Sequence, residues 1–288
     1  MKKIIPDLIS VIVNCRNGEQ YLQNALESIN AQDYKKFEVI FFDNQSEDDS
    51  AKIAKQSWSF DLKYIESEKY YSLYDARNQA IKYANGEYLC FLDVDDFWDQ
   101  RFLSSQIKFI KRKKSDFICS NYIILTQKTN GTSSTRRAWI IPKRHVSTDK
   151  LINSYFCGLL TLLIKRQYFE RIGGFDPKYN MIGDFEFVIR NSRQGKFSVN
   201  NEKLATYRNH QNNLQSKAEK KQVREIKMMM KASVFEENIR DELKRKYGFF
   251  LSRYLYNNDR LVLAFVAAKR YKVYFKFLRF AVRSLLHE

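Results

Sequence analysis

The sequence predicts an α/β protein in which helices flank a central, mostly parallel sheet, followed by a helical C-terminal region. Three observations lead to this fold class. Short apolar runs alternate with helix-spaced segments over roughly the first 110 residues, which is typical of a doubly wound sheet. The runs are continuously apolar, as in strands that are covered on both faces. From residue 217 onward only helical spacing is found.

The individual elements follow from these runs in chain order. Strands are predicted at 8–15, 37–42, 62–65 and 88–92. Helices are predicted at 18–32, after the acidic turn 43–49 as far as residue 54, at 76–84 and at 97–110. Farther along, the pattern predicts a strand at 117–125, a polar loop or hairpin at 126–134, a strand at 159–164, a helix at 165–172, a break at Gly173-Gly174 and a helix at 184–193.

Charge divides the chain near residue 215. The 288 residues hold 50 Lys and Arg against 33 Asp and Glu. Residues 217–288 alone contribute 18 basic and 8 acidic side chains. We therefore predict one domain at 1–215 and a basic, aromatic-rich helical region at 216–288. A surplus of this size attracts polyanions or anionic surfaces.

Composition disfavours several protein classes. Hydrophobic residues at 44% are too many for a disordered chain. The four cysteines stand far apart, so the sequence suggests neither a disulfide framework nor a zinc site, and a reducing, cytoplasmic compartment is expected. Because Pro6 and Asp7 interrupt the apolar start, no export signal is predicted. The apolar run 261–268 is shorter than the roughly 20 residues that cross a bilayer.

Acidic side chains follow two of the predicted strands. Ligands of such sheets bind beyond the carboxyl ends of the strands, here just after positions 15, 42 and 92. Asp93, Asp95 and Asp96 directly follow an apolar strand, and burying them is costly without a cation. Their oxygens suit Mg²⁺ or Mn²⁺ together with a diphosphate. The alternative is a solvated acidic turn in which Asp96 caps the next helix.

Several segments resemble the motifs of family 2 glycosyltransferases. Residues 75–80 (DARNQA) and 85–96 (NGEYLCFLDVDD) are similar to that family's ARN, GEY and LDxDD motifs. The first two strands, 172–176 (IGGFD), 184–187 (DFEF) and 207–210 (YRNH) are similar to its other signatures. The resemblance covers roughly residues 8–212 and leaves the terminal region outside it.

The resemblance implies a GT-A fold and an inverting transfer of one sugar from a nucleotide-sugar donor to a hydroxyl of a glycan or glycolipid. Polysaccharide or lipopolysaccharide biosynthesis is the implied setting. Asp43 is assigned to the nucleobase, Arg77 to the diphosphate, and Asp93 to the ribose or to the metal. Asp95 and His210 are assigned to a Mn²⁺ or Mg²⁺ ion.

The sequence departs from the family pattern beside the donor base. Asn-Cys-Arg-Asn stands at 14–17, where the family often has Pro-Thr-Tyr-Asn. Cys15 and Arg16 are therefore assigned to donor binding, Arg16 through the plane of its guanidinium. A UDP-sugar is the preferred donor. No QxxRW motif accompanies the match, which favours a single transfer over processive polymerisation.

A second departure concerns the general base. Asp184 matches the aspartate of the family's ED pair and is assigned to take the proton from the acceptor hydroxyl. Gly183 occupies the position where a glutamate is common, and Glu186 is a rival carboxylate. Residues two apart on a helix do not share a face, so only one of the two carboxylates can be aimed at the acceptor.

Basic residues recur at helical spacing in the terminal region. Lys269, Lys272, Lys276, Arg279 and Arg283 form one predicted stripe beside Phe, Tyr and Leu side chains. Such a helix can lie on an anionic membrane surface. Peripheral attachment to the inner face of the cell membrane is one interpretation. The other is that this face packs on the catalytic domain.

A second class of function is a non-catalytic basic protein that binds nucleic acid or scaffolds a glycan-assembly complex. The net charge of +17 and the many aromatic residues suit a nucleic-acid surface. No nucleic-acid module is recognised, however, and the ligand-binding ends of the predicted sheet are acidic. No nucleic-acid partner is therefore expected. A dehydrogenase is disfavoured because no G-x-G-x-x-G follows the first strand.

Overall fold

A computed structural model of the chain describes residues 4–127, 133–137, 147–211, 213, 218–232 and 235–285. The chain divides into two compact units. The sheet unit comprises Met1–Val146 and Phe156–His210, and the helical unit comprises Ser147–Tyr155 and Gln211–Glu288. The boundary predicted near residue 215 falls at 214–217, outside the described residues. Sequence patterning did not indicate that Ser147–Tyr155 belongs to the helical unit.

The strands of the described residues form one mixed sheet. They are β1 (Ile5–Cys15), β2 (Phe37–Asp43), β3 (Asp61–Glu66), β4 (Gly86–Asp93), β5 (Phe97–Trp98), β6 (Phe117–Gln127), β7 (Ser133–Arg137), β8 (Leu163–Lys165) and β9 (Phe197–Asn209). Their order is β3-β2-β1-β4-β8-β6-β9-β5, with β7 beside β6. The pairings among β1 to β4 are parallel, whereas β8 runs antiparallel to β4 and β6.

Helices flank this sheet and make up the helical unit. They are α1 (Glu19–Asn30), α2 (Ser50–Ala54), α3 (Leu73–Ile81), α4 (Phe102–Lys113), α5 (Thr148–Asn153), α6 (Arg166–Arg171), α7 (Gly183–Asn191), α8 (Glu219–Lys231), α9 (Glu237–Tyr256), α10 (Leu261–Arg270) and α11 (Tyr274–Leu285). The predicted α/β class and the helical terminal region are confirmed.

The first four predicted strands are confirmed as β1 to β4. All residues from Ile9 to Cys15 and from Phe37 to Asp43 are buried, which explains why these runs are apolar without alternation. Leu22, Ala25, Leu26 and Ile29 of α1 are buried in the same core. The apolar pattern was sufficient for β1, β2 and β4 because most of their residues are buried, whereas β3 has no buried residue.

The helix predicted at 97–110 begins later than its periodicity suggests. Phe97–Trp98 forms β5 and pairs with β9, and α4 begins only at Phe102. The rings of Trp98 and Phe102 stack with centroids 4.1 Å apart. Nε1 of Trp98 donates a hydrogen bond of 2.8 Å to the carbonyl of Leu160. These tertiary contacts fix Trp98 in an extended segment despite its helical spacing.

Two further segments differ from the prediction. The strand predicted at 159–164 is a 3-10 turn at Leu159–Thr161 followed by β8. The long strand β9 was not predicted. Its burial follows no regular alternation along the strand, so the period of two that identifies a half-buried strand is missing.

The helical unit breaks the basic stripe that the sequence placed on a single helix. Lys272 has a φ of 56° between α10 and α11, and the amide of Val273 donates to the carbonyl of Ala268 at 2.9 Å. Tyr271 packs against Gly248, where an added Cβ would lie 2.0 Å from the Cβ of Tyr271. Lys269 therefore lies on a different helix from the basic residues of α11.

A buried carboxylate joins three central strands of the sheet unit. Glu38 of β2 accepts a hydrogen bond of 2.6 Å from the hydroxyl of Ser10 in β1. It also accepts hydrogen bonds from the backbone amide and the side-chain amide of Asn85, at 2.5 and 2.8 Å. The hydroxyl of Ser10 accepts in turn from the amide of Gly86 in β4.

Replacing this carboxylate should destabilise the sheet unit. Glu38→Ala leaves the donors of Ser10 and Asn85 without an acceptor, and we expect a loss of about 3 kcal/mol. Urea unfolding followed by circular dichroism measures the change. The matched control is Glu66→Ala at the exposed end of β3, which should shift the midpoint little. Equal shifts for both variants would contradict the role given to Glu38.

Candidate functional site

The register of the parallel strands brings the predicted strand ends to one edge of the sheet. Cys15 of β1 lies opposite Asp43 of β2. On the other side of β1, Asn14 lies opposite Asp93 of β4. Because these strands run in the same direction, their carboxyl ends form one continuous edge. Residues that are far apart in the chain are thus placed together where the sequence predicted a ligand.

Asp43 is held rigidly at this edge. Its Oδ1 accepts a hydrogen bond of 2.8 Å from the amide of Ser46, and its Oδ2 accepts one of 2.6 Å from the hydroxyl of Tyr64. Burial, together with this bond to Asp43, raises the pKa of the Tyr64 hydroxyl, so it remains a donor at neutral pH. Each carboxylate oxygen keeps a second lone pair for a further donor.

Cys15 and Arg16 lie in different surroundings. The thiol of Cys15 is buried in the core of the sheet unit, and burial raises its pKa to about 11. The backbone carbonyl of Cys15 accepts a hydrogen bond of 2.8 Å from the amide of Asn44. The guanidinium of Arg16 lies 4.4 Å from the ring centroid of Tyr70, and both side chains are exposed. Tyr70 was missed by sequence reasoning because no motif includes it.

Arg77 and Asp93 form an ion pair between α3 and the end of β4. Only 2% of the Arg77 side chain is exposed, and its Nη2 contacts Oδ1 of Asp93. Among the described residues, no partner lies within hydrogen-bond reach of the buried Nη1 of Arg77 or of the buried Oδ1 of Asn14. An unpaired buried donor on a cation costs free energy, and an anionic ligand can offset that cost.

Asp95 and His210 meet as the sequence predicted. Oδ2 of Asp95 lies 3.1 Å from Nε2 of His210, and the ring of His210 packs on Tyr21 with centroids 4.8 Å apart. Burial and the neighbouring Asp93 raise the pKa of Asp95, while His210 lowers it. One carboxylate and one imidazole form a donor set that suits Mn²⁺. The described residues contain no group of three or more such ligands, so a bound ion needs oxygens from water or a diphosphate.

Arg208 supports the acidic turn from β9. Its amide donates to Oδ1 of Asp96 at 2.8 Å, and its Nε donates to the backbone carbonyl of Asp95 at 2.9 Å. Asp96 is fully engaged there and does not cap α4, which begins at Phe102. The alternative that Asp96 is a helix cap is therefore wrong. The YRNH segment contained Arg208, but sequence reasoning used only its histidine.

Asp184 lies in the first turn of α7 and is oriented by a buried tyrosine. The hydroxyl of Tyr74 donates a hydrogen bond of 2.9 Å to Oδ1 of Asp184, which is partly exposed. A Cβ at Gly183 would lie 2.5 Å from Cδ2 of Tyr74, so the ring needs a glycine there. The same ring lies 4.7 Å from Cζ of Arg77. Tyr74 thus connects Asp184 with the Arg77–Asp93 pair, and no local sequence signal identified it.

Glu186, the rival carboxylate, is occupied elsewhere. It is buried, and Arg190 donates to its two oxygens at 2.6 and 3.1 Å. Arg190 also donates to the carbonyls of Ile172 and Gly174. The Glu186–Arg190 pair therefore fixes the turn before α7. Glu186 is buried in this ion pair, whereas Asp184 is partly exposed.

Comparison with known proteins places these residues in a family. The family model described as Glycosyl transferase family 2 matches residues 10–173, more than half of the chain. The chain is 28% identical over 210 residues to the amylovoran biosynthesis glycosyltransferase AmsB of Erwinia amylovora, covering 69% of this chain and 68% of that protein. It is 35% identical over 118 residues to UDP-Glc:alpha-D-GlcNAc-diphosphoundecaprenol beta-1,3-glucosyltransferase WfaP of Escherichia coli, covering 41% of this chain and about half, 47%, of that relative.

Solved structures show the same fold. S. aureus TarS 1–349 in complex with UDP-GlcNAc superposes with a TM-score of 0.66 at 21% identity, covering 88% of this chain and 73% of that one. The mannosyltransferase PcManGT of Pyrobaculum calidifontis, in complex with GDP-Man and Mn2+, superposes with a TM-score of 0.63 at 16% identity, covering 97% and 87%. The chain therefore belongs to glycosyl transferase family 2 and is a sugar transferase with the GT-A fold.

Proposed function

We propose that this protein transfers one sugar from a UDP-sugar to a hydroxyl of a lipid-linked saccharide, with inversion at the anomeric carbon and dependence on Mn²⁺ or Mg²⁺. The observation that carries the proposal is the arrangement at the sheet edge. A buried arginine with an unpaired nitrogen lies beside Asp93, and Tyr74 links this pair to Asp184. Anion-binding and proton-accepting groups are thus adjacent.

The donor is held by residues of the first four strands. Asp43 accepts the imide N–H of the base, and the exposed Arg16 and Tyr70 offer planar groups for stacking. Arg77 binds the diphosphate with its guanidinium, and Asp93 binds the ribose. Asp95 and His210 would hold the divalent ion, which would supply positive charge to stabilise the diphosphate as it leaves.

Asp184 acts as the general base. Its carboxylate takes the proton of the acceptor hydroxyl as that oxygen forms a bond to the anomeric carbon. The bond from that carbon to the diphosphate oxygen breaks on the opposite face, which inverts the configuration. The hydrogen bond from Tyr74 supports this role, because it fixes the orientation of the carboxylate at the start of α7.

The acceptor class is inferred from the relatives. WfaP carries the name of a transferase that acts on GlcNAc-diphosphoundecaprenol, and another relative is named a putative teichuronic acid biosynthesis glycosyltransferase. A lipid-linked glycan at the inner face of the cell membrane fits these names. We assign catalysis to residues 1–215 and peripheral attachment to the basic region 216–288. No helix among the described residues has the length and apolarity needed to cross a membrane.

Donor binding should depend on a divalent ion and on Asp95. We expect UDP with Mn²⁺ to stabilise the protein more than UDP alone, GDP or dTDP. Ligand at about 100 times its dissociation constant contributes about 2.7 kcal/mol. Asp95→Asn should abolish the metal-dependent part, as measured by thermal shift. Asp61→Asn, at the opposite end of the parallel strands, is the control and should respond like the wild type. Stabilisation without any metal requirement would contradict the proposal.

Turnover should depend on Asp184 and not on Glu186. Asp184→Asn should leave UDP binding intact and lower the transfer rate by about 10² to 10⁴. Glu186→Gln should lower the free energy of unfolding by about 1–3 kcal/mol and leave the rate near that of the wild type. UDP release with a synthetic GlcNAc-diphospholipid acceptor measures the rate. Equal loss of UDP binding in Asp95→Asn and Asp184→Asn would reverse the assigned roles.

Tyr74 should affect catalysis through its hydroxyl. Tyr74→Phe keeps the ring against Gly183 but removes the bond to Asp184, and we expect kcat to fall about tenfold with unchanged UDP affinity. Tyr168→Phe is the matched control, because Tyr168 is also buried and packs against a glycine, Gly195. A fall in kcat for both variants, or for neither, would exclude a positioning role for the Tyr74 hydroxyl.

A further inference from the structure

Large apolar side chains are exposed mainly in one part of the helical unit. Among the described residues, twelve such side chains are exposed, and eight of them lie in α10 and α11. These eight, which we name the apolar face, are Leu261, Val262, Leu263, Val266, Tyr274, Phe275, Leu278 and Val282. Val262 is 77% exposed and Phe275 is 79% exposed. Single exposed apolar residues are ordinary, but a concentration of this kind marks an interaction site.

Helix α10 buries its alanines and exposes its valines. Ala264, Ala267 and Ala268 are buried, whereas Val262 and Val266 are exposed. A helix that only covers a core places its large apolar residues inward and its polar residues outward. The alanines and the partly buried Phe265 contact the apolar core of the helical unit, while the valines leave apolar surface directed away from it.

The two helices are joined beside the apolar face. The ring of Phe265 in α10 lies 5.3 Å from the ring of Phe277 and 6.1 Å from that of Tyr274, both in α11. Phe277 is buried with Ala264 and Ala268 in one small cluster. Each helix thus has one apolar side in this cluster and contributes further apolar residues to the apolar face.

Within the stretch that holds α10 and α11 the charged residues are all basic, and the exposed Asp259 lies just before it. Residues 260–285 include seven Lys and Arg and no Asp or Glu. Lys269, Arg270, Lys272 and Arg279 are exposed. Cations beside exposed Val, Leu and Phe side chains complement the two layers of an anionic bilayer, its headgroups and the acyl chains beneath them. The absence of any carboxylate from this stretch favours a lipid surface over a protein surface of mixed charge.

We propose that α10 and α11 form a membrane-insertion face, in which Val262, Val266 and Phe275 enter the acyl layer of an anionic bilayer while the neighbouring cations contact its headgroups. A helix of ten residues is about 15 Å long and lies in the plane of the interface. The inference rests on the peripheral attachment proposed above for residues 216–288 and deepens it, because it names the apolar residues of both helices that enter the bilayer.

Vesicle flotation of the full chain tests the proposal without any substrate. We expect the protein to float with phosphatidylcholine vesicles that contain phosphatidylglycerol and to stay behind with phosphatidylcholine alone. The triple variant Val262→Ser, Val266→Ser and Phe275→Ser should bind the anionic vesicles about tenfold less. The matched control changes three exposed apolar residues outside the face, Ile5→Ser, Tyr83→Ser and Met228→Ser, and should float like the wild type.

Three results would overturn the inference. The first is that the wild type fails to float with anionic vesicles. The second is that the triple variant floats as well as the wild type, which would leave charge alone as the cause of binding. The third is that light scattering shows the lipid-free wild type to be a dimer and the triple variant to be a monomer, so that the apolar face is a contact between two copies. An unchanged circular-dichroism spectrum and unfolding midpoint show that the variants are folded. Thermal shift with UDP is measured separately, so failure here is distinguishable from failure of the proposed transfer activity.

Discussion

Repulsion among the carboxylates after β4 is the constraint on which the site depends. Burial, and then the neighbouring carboxylates, raise the pKa values of Asp95 and Asp96. Arg77 opposes this repulsion from α3 by pairing with Asp93, and Arg208 opposes it from β9 by holding the turn through its amide and guanidinium. Removing such charged groups from water can cost more free energy than their mutual attraction returns. The turn therefore requires both arginines, and α3 and β9 must pack where they bring these arginines to it.

Two buried polar atoms at this edge of the sheet have no hydrogen-bond partner among the described residues. They are a side-chain nitrogen of Arg77 and the side-chain oxygen of Asn14. A folded protein rarely leaves such groups unpaired unless a ligand or water completes them. Asp95 and His210 add a carboxylate and an imidazole that lie 3.1 Å apart. The proposed binding of a nucleoside diphosphate rests on these groups, because such a partner brings its own negative charge and oxygen atoms.

The sequence could predict those site residues that lie at the ends of strands. The continuously apolar runs located β1, β2 and β4, and the general geometry of parallel sheets placed Asp43 and Asp93 at one edge. Tyr74 and Arg208 could not be found in this way. Their contacts with Asp184 and Asp96 span 110 and 112 positions of the chain and depend on how α3 and β9 pack. In the sequence, Gly183 indicated only the loss of the glutamate that is common at this position. The structure shows that the ring of Tyr74 leaves no room for a side chain there.

In the helical unit, the sequence likewise could not predict which surface of a helix is exposed. Composition identified residues 261–268 as apolar and too short to span a bilayer, but periodicity did not say which side of the helix is covered. The structure places alanines inward and valines outward, the reverse of what a core helix needs. Leaving the valines outward forgoes the free energy of their burial, at about 25 cal/mol per Å² of apolar area. The inward cluster, which includes Phe265 and Phe277, holds the two helices together in the folded chain, and the proposed contact with a bilayer would bury the outward valines.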